Sequence, residues 1–131
     1  MSDDTIVISE VREFEDRISL ESRLVLLVLS RNFFGRSFVV DSLPTVVGRH
    51  DDCDFVIRDP YMSNRHFRLD GDEDGMVMIT DLHSSNFTYL NERRLTETST
   101  ILYGDRILAG ETIFRLFMEE ELKIDNRKKS L

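Results

Sequence analysis

The sequence contains one cysteine and no long apolar run, and each scarcity excludes a class of protein. Because Cys53 has no second cysteine, an internal disulfide and a cysteine-type zinc site are excluded, which favours a reducing compartment. No run approaches the roughly 20 apolar residues of a membrane-spanning helix. The acidic start "MSDDTIVISE" also lacks the basic region of a secretory signal. We therefore expect a soluble intracellular protein with no membrane partner.

Basic residues are scarce relative to acidic ones. Lysine and arginine total 17 and aspartate and glutamate total 25, which gives a formal net charge of −8. An acidic surface repels nucleic acid, although a local basic pocket can persist within it. The charge therefore makes nucleic acid an unsuitable general partner.

Length and composition predict one compact domain with a segment on each side. The chain has 131 residues, 40% of them apolar, which is enough for a core that folds without staples. We place an N-terminal extension at residues 1–22, the domain at residues 23–119, and a charged linker or tail at residues 120–131, which could lead into a further domain. Within the extension, four apolar residues at the spacing of one helical face predict a short helix. They are Val7, Val11, Phe14 and Ile18.

From residue 24 onward, short β-branched or aromatic runs alternate with polar breaks. The runs include "LVLLVLS", "TVVG", "HFRL", "MVMIT" and "TIFRLFM", and the breaks include "RNFFG" and "DGDEDG". No helical pattern intervenes between them. Many short strands at close spacing predict an all-β sandwich or barrel over residues 24–118.

One stretch, "DPYMSNRHFRL", places a hydroxyl and an imidazole close enough to suggest catalysis. A hydrolase would use Ser63 as nucleophile, His66 as base and Asp70 or Asp81 as the orienting acid. The spacing is unfavourable, since Ser63 has no glycine-flanked elbow and no evident oxyanion hole. The alternative is a histidine that ties its own loop together.

A second stretch, "DGDEDGMVMITD", has the spacing of a calcium-binding loop. The matching positions are Asp70, Asp72, Asp74, Gly75 and Asp81. However, the twelfth position is Asp where a bidentate Glu is usual, and the flanking residues are typical of strands rather than helices. A solvated acidic hairpin turn explains the same residues, so we expect no metal site.

A third set of polar residues lies in loops that one end of a sandwich brings together. Arginine offers planar, charge-assisted donors, and serine and asparagine add neutral donors, which together suit a phosphate ester. The set consists of Gly48 and Arg49, then Ser63, Asn64, Arg65 and His66, then Ser85, Asn86 and Thr88. For each residue alone, a surface polar side chain is the commoner outcome, and only the joint pattern indicates an anion pocket.

The order of these elements resembles that of a forkhead-associated (FHA) domain, a module that recognises phosphothreonine peptides. The resemblance rests on "GRHDDCDFVIRDPYMSNRHFRL", "ITDLHSSNFTYLN", "RRL" and "YGDRILAG", and it covers about residues 24 to 118. It implies an FHA-like β-sandwich of about eleven strands whose loops at one end bind the peptide. It also implies no cofactor and no enzymatic activity.

The resemblance implies a role for each residue of the site. Arg49 and Ser63 would contact the phosphate, with Asn64 or Arg65 beside them, Ser85 at the rim and Asn86 on the peptide backbone. The supporting residues would be Gly48, His66, Thr88 and Asn91. Of these, His66 would brace the loop that presents Ser63, and Asn91 would close the turn that follows its strand.

The sequence departs from the family at His83 and Phe87, where glycine is common. Because glycine is favoured where φ is positive, Phe87 either adopts an ordinary conformation or carries strain. Its ring could be half-buried, or exposed near the peptide groove as an apolar contact.

The function implied is phosphothreonine-dependent recognition in intracellular signalling, in the nucleus or the cytoplasm. The partner would be a phosphothreonine-containing protein segment, with phospho-dependent self-association as one possibility. FHA domains also occur in the amino-terminal part of checkpoint-type serine/threonine kinases, which suits the charged tail. The alternative is a phosphate-independent assembly or dimerisation domain with Phe87 at the contact.

Overall fold

The computed structural model describes residues 23–118, which form eleven strands and no helix. In chain order the strands are β1 (Leu24–Val28), β2 (Ser37–Val40), β3 (Thr45–Gly48), β4 (Phe55–Val56), β5 (Phe67–Gly71), β6 (Val77–Asp81), β7 (Thr88–Leu90), β8 (Arg93–Arg94), β9 (Ser99–Ile101), β10 (Arg106–Ala109) and β11 (Thr112–Met118). The prediction of an all-β fold with about eleven strands is confirmed. The predicted short N-terminal helix, the N-terminal extension and the C-terminal tail lie outside the described residues.

The strands form two sheets. The six-stranded sheet has the order β2-β1-β11-β10-β7-β8, and the five-stranded sheet has the order β4-β3-β5-β6-β9. All pairs are antiparallel except β3 with β4, which is parallel. The strands therefore form a β-sandwich, and the chain crosses from one sheet to the other several times along the sequence.

The core lies between the sheets and follows from the alternation of residues along the strands. Successive side chains of a strand point to opposite faces, so every second residue faces the core. In β11, for example, Phe114 and Leu116 are fully buried, while Ile113 and Arg115 are exposed. Phe114 contacts the rings of Phe55 and Phe67 edge-on, which joins strands of the two sheets.

Three loops are brought to one end of the sandwich by strand register. Val47 at the end of β3 lies opposite Phe67 at the start of β5, and Phe67 lies opposite Asp81 at the end of β6. The loops that follow β3, precede β5 and follow β6 therefore begin or end side by side. Residues 23–118 contain no helix that is long and apolar enough to cross a membrane.

Candidate functional site

The first contact between the loops is made by backbone groups around Gly48. The N–H of Arg49 donates to the carbonyl of Ser63 at 3.0 Å, and the N–H of His50 donates to the carbonyl of Asn64 at 3.1 Å. A Cβ atom at position 48 would lie 2.2 Å from the Asn64 oxygen and 2.9 Å from the Cα of Arg65. Gly48 is therefore needed for space, since a side chain would displace the loop that carries Ser63.

His66 joins the second and third loops through both nitrogens of a fully buried ring. Its Nδ1 accepts a hydrogen bond from the N–H of Ser63 at 3.1 Å, and its Nε2 lies 2.8 Å from the carbonyl of Phe87. Because a backbone N–H can only donate and a carbonyl can only accept, the proton of the neutral ring belongs on Nε2. Burial lowers the pKa of His66, although the hydrogen bond to Phe87 and the charge of Asp81 oppose this shift.

The hydroxyl of Ser63 is oriented from the other side by the third loop. Ser63 Oγ accepts a hydrogen bond from the N–H of Ser85 at 3.0 Å, and the Asn86 amide donates to the carbonyl of Tyr61 at 2.9 Å. Within residues 23–118 the Ser63 hydroxyl donates no hydrogen bond, so its proton is available to a ligand. Ser63 is half-buried, and the side chains of Ser85 and Asn86 are exposed.

The third loop is folded around the carboxylate of Asp81. Thr88 is fully buried and donates its hydroxyl to Asp81 Oδ1 at 2.6 Å, while the hydroxyl and the N–H of Ser84 donate to the two carboxylate oxygens. Burial by itself raises the pKa of Asp81, but these hydrogen bonds outweigh it and the pKa lies below the ordinary value. Thr88 thus fixes the base of the loop that carries Ser85 and Asn86.

The arginines near the three loops differ in their partners. The guanidinium of Arg65 lies 3.2 Å from a carboxylate oxygen of Asp52, and Arg58 pairs with Asp51. Arg49 is exposed, and its guanidinium has no hydrogen-bond or ion-pair partner among the described residues. Arg49 therefore offers the five N–H donors of its side chain to solvent or to a ligand.

The structure brings nine of the ten predicted site residues to this end of the sandwich, and Asn91 lies apart. The nine are Gly48, Arg49, Ser63, Asn64, Arg65, His66, Ser85, Asn86 and Thr88. Asn91 follows the far end of β7, where its amide donates to Asp105 at 3.0 Å and its oxygen accepts from the N–H of Arg106 at 3.0 Å. The phosphate-binding and supporting roles of all ten remain predictions.

Comparison with known families decides the classification of the chain. The family model described as the FHA domain matches residues 45–110. The chain belongs to the FHA family.

Similar proteins come from bacteria and from yeasts. The FHA domain is 37% identical over 100 residues to the glycogen accumulation regulator GarA of Mycolicibacterium smegmatis, a match that covers 74% of this chain and 60% of GarA. It is 36% identical over 107 residues to the serine/threonine-protein kinase cds1 of Schizosaccharomyces pombe, covering 71% of this chain and 23% of the kinase. The chain thus spans less than two thirds of the length of either relative.

Solved structures share the fold. The crystal structure of the FHA domain of CT664 from Chlamydia trachomatis has a TM-score of 0.67 and 31% identity, and the match covers 72% of this chain and 96% of that one. The N-terminal FHA domain of Rad53p from S. cerevisiae, solved in complex with a phosphothreonine peptide, has a TM-score of 0.63 and 20% identity. That match covers 77% of this chain and 97% of the other, and it supports the fold alone.

The backbone is left-handed at His83 and at Phe87, the two positions where the FHA family commonly has glycine. The φ angle is 55° at His83 and 67° at Phe87, so the alternative in which Phe87 adopts an ordinary conformation is wrong. The side chain of Phe87 is 37% exposed, and the guanidinium of Arg94 lies over its ring, 3.5 Å from the centroid. The ring is thus partly covered at the edge of the site.

The contacts of Ser63 and His66 do not form a catalytic pair. Both nitrogens of His66 are engaged by backbone groups, so neither is placed to take the proton of the Ser63 hydroxyl. Asp70 pairs with Arg68, and Asp72 accepts hydrogen bonds from two N–H groups within its own turn between β5 and β6. Within residues 23–118, no group of three or more His, Cys, Asp or Glu side chains could hold a metal ion.

Sequence reasoning missed Asp59, which ties the Ser63 loop to the turn between β10 and β11. Its buried carboxylate accepts from the N–H of Tyr61 at 2.8 Å, from the N–H of Glu111 at 2.7 Å and from the hydroxyl of Thr112 at 2.8 Å. The "DP" dipeptide before the loop indicates a turn. Nothing local in the sequence indicates a partner more than fifty residues away.

Proposed function

We propose that this FHA domain is a phosphothreonine-dependent protein-recognition module that carries out no catalysis. The observation that supports it most is that, among residues 23–118, the Arg49 guanidinium has no partner and the proton of the Ser63 hydroxyl is free, while backbone hydrogen bonds join the two segments that carry them. A charge-assisted donor and a neutral donor, held before the ligand arrives, suit a phosphate dianion. Rad53p, which has the same fold, was solved with a phosphothreonine peptide.

The remaining residues would extend this contact along a peptide. We assign Asn64 and Arg65 to the phosphate as secondary donors, Ser85 to the rim, and Asn86 to the peptide backbone. Arg65 has to share its guanidinium with Asp52, so its contribution should be smaller than that of Arg49. The partner would be a phosphothreonine-containing segment of another protein, or of a second copy of this chain, in the nucleus or the cytoplasm, and neither nucleic acid nor membrane.

The test compares a phosphothreonine peptide with its unphosphorylated counterpart by titration. The proposal requires a large loss of affinity without the phosphate, whereas a phosphate-independent assembly domain requires none. Exposed Tyr61 and Phe87 are the observation that favours the assembly alternative, because both flank the site. Equal affinity for the two peptides, together with a concentration-dependent dimer, would establish that alternative.

Two variants separate ligand contact from support. Arg49→Ala should leave the melting temperature almost unchanged and weaken phosphopeptide binding at least about tenfold, because a charge-assisted hydrogen bond contributes about 1.5 to 3 kcal/mol. His66→Ala should lower the melting temperature, since the part-buried Ser63 N–H and Phe87 carbonyl would lose the partner that the buried ring provides, at up to about 1 to 3 kcal/mol each. Arg93→Ala, which removes the same charge from the exposed strand β8, is the matched control. If it weakens binding as much as Arg49→Ala, the effect is general electrostatics.

A further inference from the structure

A groove of about 560 Å³ lies beside the proposed phosphate site. It is bounded by the end of β6, by the loop that carries Phe87, and by the connection from β8 to β9. Phe87 and Arg94 line the groove on one side, and Thr96, Glu97 and Thr98 line it along the connection. Because β8 and β9 are edge strands of the two sheets, the groove opens at the side of the sandwich.

The groove continues directly from the site. The carbonyl of Phe87 bonds to Nε2 of His66, and Nδ1 of the same ring bonds to the N–H of Ser63. The imidazole ring of His66 is therefore all that separates the backbone of Phe87, in the wall of the groove, from the backbone of Ser63, which we propose contacts the phosphate. An extended peptide advances about 3.3 Å per residue, so a residue a few positions from the phosphothreonine can reach the groove.

Arg94 gives this groove a fixed positive charge. Its guanidinium is held over the Phe87 ring, and within residues 23–118 it has no carboxylate partner. By contrast, Arg58 and Arg65 at the other side of the site are paired with Asp51 and Asp52. A guanidinium stacked on a ring keeps its N–H edge free, so it can still donate to an anion that approaches in the plane.

The carboxylates of the groove differ in their availability. Both carboxylate oxygens of Asp81 already accept hydrogen bonds from Ser84 and Thr88. Glu97 is exposed and has no hydrogen-bond or ion-pair partner for its carboxylate in the described part of the chain. An anionic ligand would therefore be attracted by Arg94 and repelled by Glu97. Neutralising Arg94 should lower the affinity for such a ligand, and neutralising Glu97 should raise it.

From these contacts, and resting on the proposed function, we infer that Arg94 is a specificity-determining residue that selects an anionic side chain near the phosphothreonine in the same peptide. The anion would be Asp, Glu or a second phosphorylated residue, docked at the free edge of the Arg94 guanidinium. Phe87 would be a positioning residue, because its ring holds Arg94 over the groove mouth. This accounts for an aromatic residue at a left-handed position where glycine is less strained.

The test uses a neutral phosphothreonine peptide into which a single Asp is introduced one position at a time. For the parent protein, one position should bind about two- to fivefold more tightly than the neutral peptide, as expected of an exposed ion pair. Arg94→Gln should abolish that gain and leave binding of the neutral phosphopeptide within about twofold. A second series with phosphoserine in place of Asp distinguishes a carboxylate from a second phosphate as the preferred anion.

Two further variants control for general electrostatics. Arg93→Gln removes the same charge from the adjacent residue, which pairs with Leu90 while Arg94 pairs with Tyr89, so the two side chains lie on opposite faces of β8. This variant should keep the positional gain. Glu97→Gln should increase it. A gain that survives Arg94→Gln, or a parent protein with no positional gain, would overturn the inference while leaving phosphate dependence intact. Loss of phosphate dependence itself would instead overturn the proposed function, and this inference with it.

Discussion

Replacing Gly48 by alanine tests whether the site depends on close approach of two backbones. The added Cβ would lie 2.2 Å from the carbonyl oxygen of Asn64 and 2.8 Å from its carbonyl carbon. These are backbone atoms, so no side-chain rotation relieves the contact. The segment that carries Ser63 must therefore move by about 1 Å, since non-bonded heavy atoms of this kind are rarely closer than about 3 Å.

The magnitude follows from what that movement breaks. The hydrogen bonds from Arg49 to Ser63 and from His50 to Asn64 cross this contact, and each contributes about 0.5 to 1.5 kcal/mol. Forced overpacking adds about 1 to 3 kcal/mol. We expect Gly48→Ala to lose about 2 to 6 kcal/mol of unfolding free energy, which in a domain of about 100 residues lowers the melting temperature by about 10 to 30 °C. Phosphopeptide affinity should fall as well, because the Ser63 hydroxyl moves with the segment.

Gly75→Ala is the control that separates crowding from backbone strain. Gly75 has a φ of 78°, but apart from its chain neighbours no atom of residues 23–118 lies within 4 Å of the position its Cβ would take. Its replacement should cost no more than about 1 kcal/mol, because the strain is partly offset by reduced freedom of the unfolded chain. Thermal melts and chemical unfolding of both variants measure the difference. If Gly48→Ala melts within about 2 °C of the parent, or no lower than Gly75→Ala, the close approach does not have the importance given to it.

The remaining predictions concern the pKa values of His66 and Asp81 and the backbone at His83. Burial lowers the pKa of His66 from its ordinary value of 6.5, so the unfolded chain binds a proton that the folded one resists, and stability should fall as the pH drops below about 6.5. Urea unfolding at several pH values measures this dependence. The His66→Gln variant, although less stable, should show a shallower slope of unfolding free energy against pH. A parent stability that is flat from about pH 7.5 to pH 5.5 would contradict the reasoning. The lowered pKa of Asp81 adds a loss of the same sign only at more acidic pH, below its ordinary value of 3.8. At exposed His83, with φ at 55°, glycine should stabilise the domain by up to about 1 kcal/mol and valine should destabilise it, and equal melting temperatures would show that the turn is not strained.

The sequence predicts most of this fold because most strands carry their own signal. In β1, Leu24, Leu26 and Val28 are buried in the core cluster at every second position. The strands β8 and β9 have no such signal, since they are two and three residues long and mostly polar. They are strands because of their partners, as when Arg94 lies opposite Tyr89. Pairing of this kind depends on the turn that aligns the strands, which a search for apolar runs does not detect.

The members of the candidate site were predictable, whereas several of the contacts that order it were not. Short polar motifs next to strand ends indicated which side chains would converge. No local pattern indicates that the carboxylates of Asp59 and Asp81 organise these loops. The sequence predicts for Asp81 only the role of a catalytic acid or a calcium ligand, yet its carboxylate accepts hydrogen bonds from Ser84 and Thr88 within its own loop. Asp59 bonds to Glu111 and Thr112, and only the folded chain brings those residues together.

Phe87 shows why a family pattern can be broken without loss of the geometry it encodes. The backbone of Phe87 is left-handed, and its carbonyl accepts the hydrogen bond from His66. Glycine would adopt the same backbone conformation without strain. A non-glycine residue there costs about 1 to 2 kcal/mol. A phenylalanine that is 37% exposed, however, buries enough ring area to contribute up to about 3 kcal/mol at about 25 cal/mol per Å², and Arg94 covers its face. The ring therefore offsets the strain that its own backbone carries, whereas His83 in the same loop is exposed and has no comparable packing against the described residues to offset its own strain.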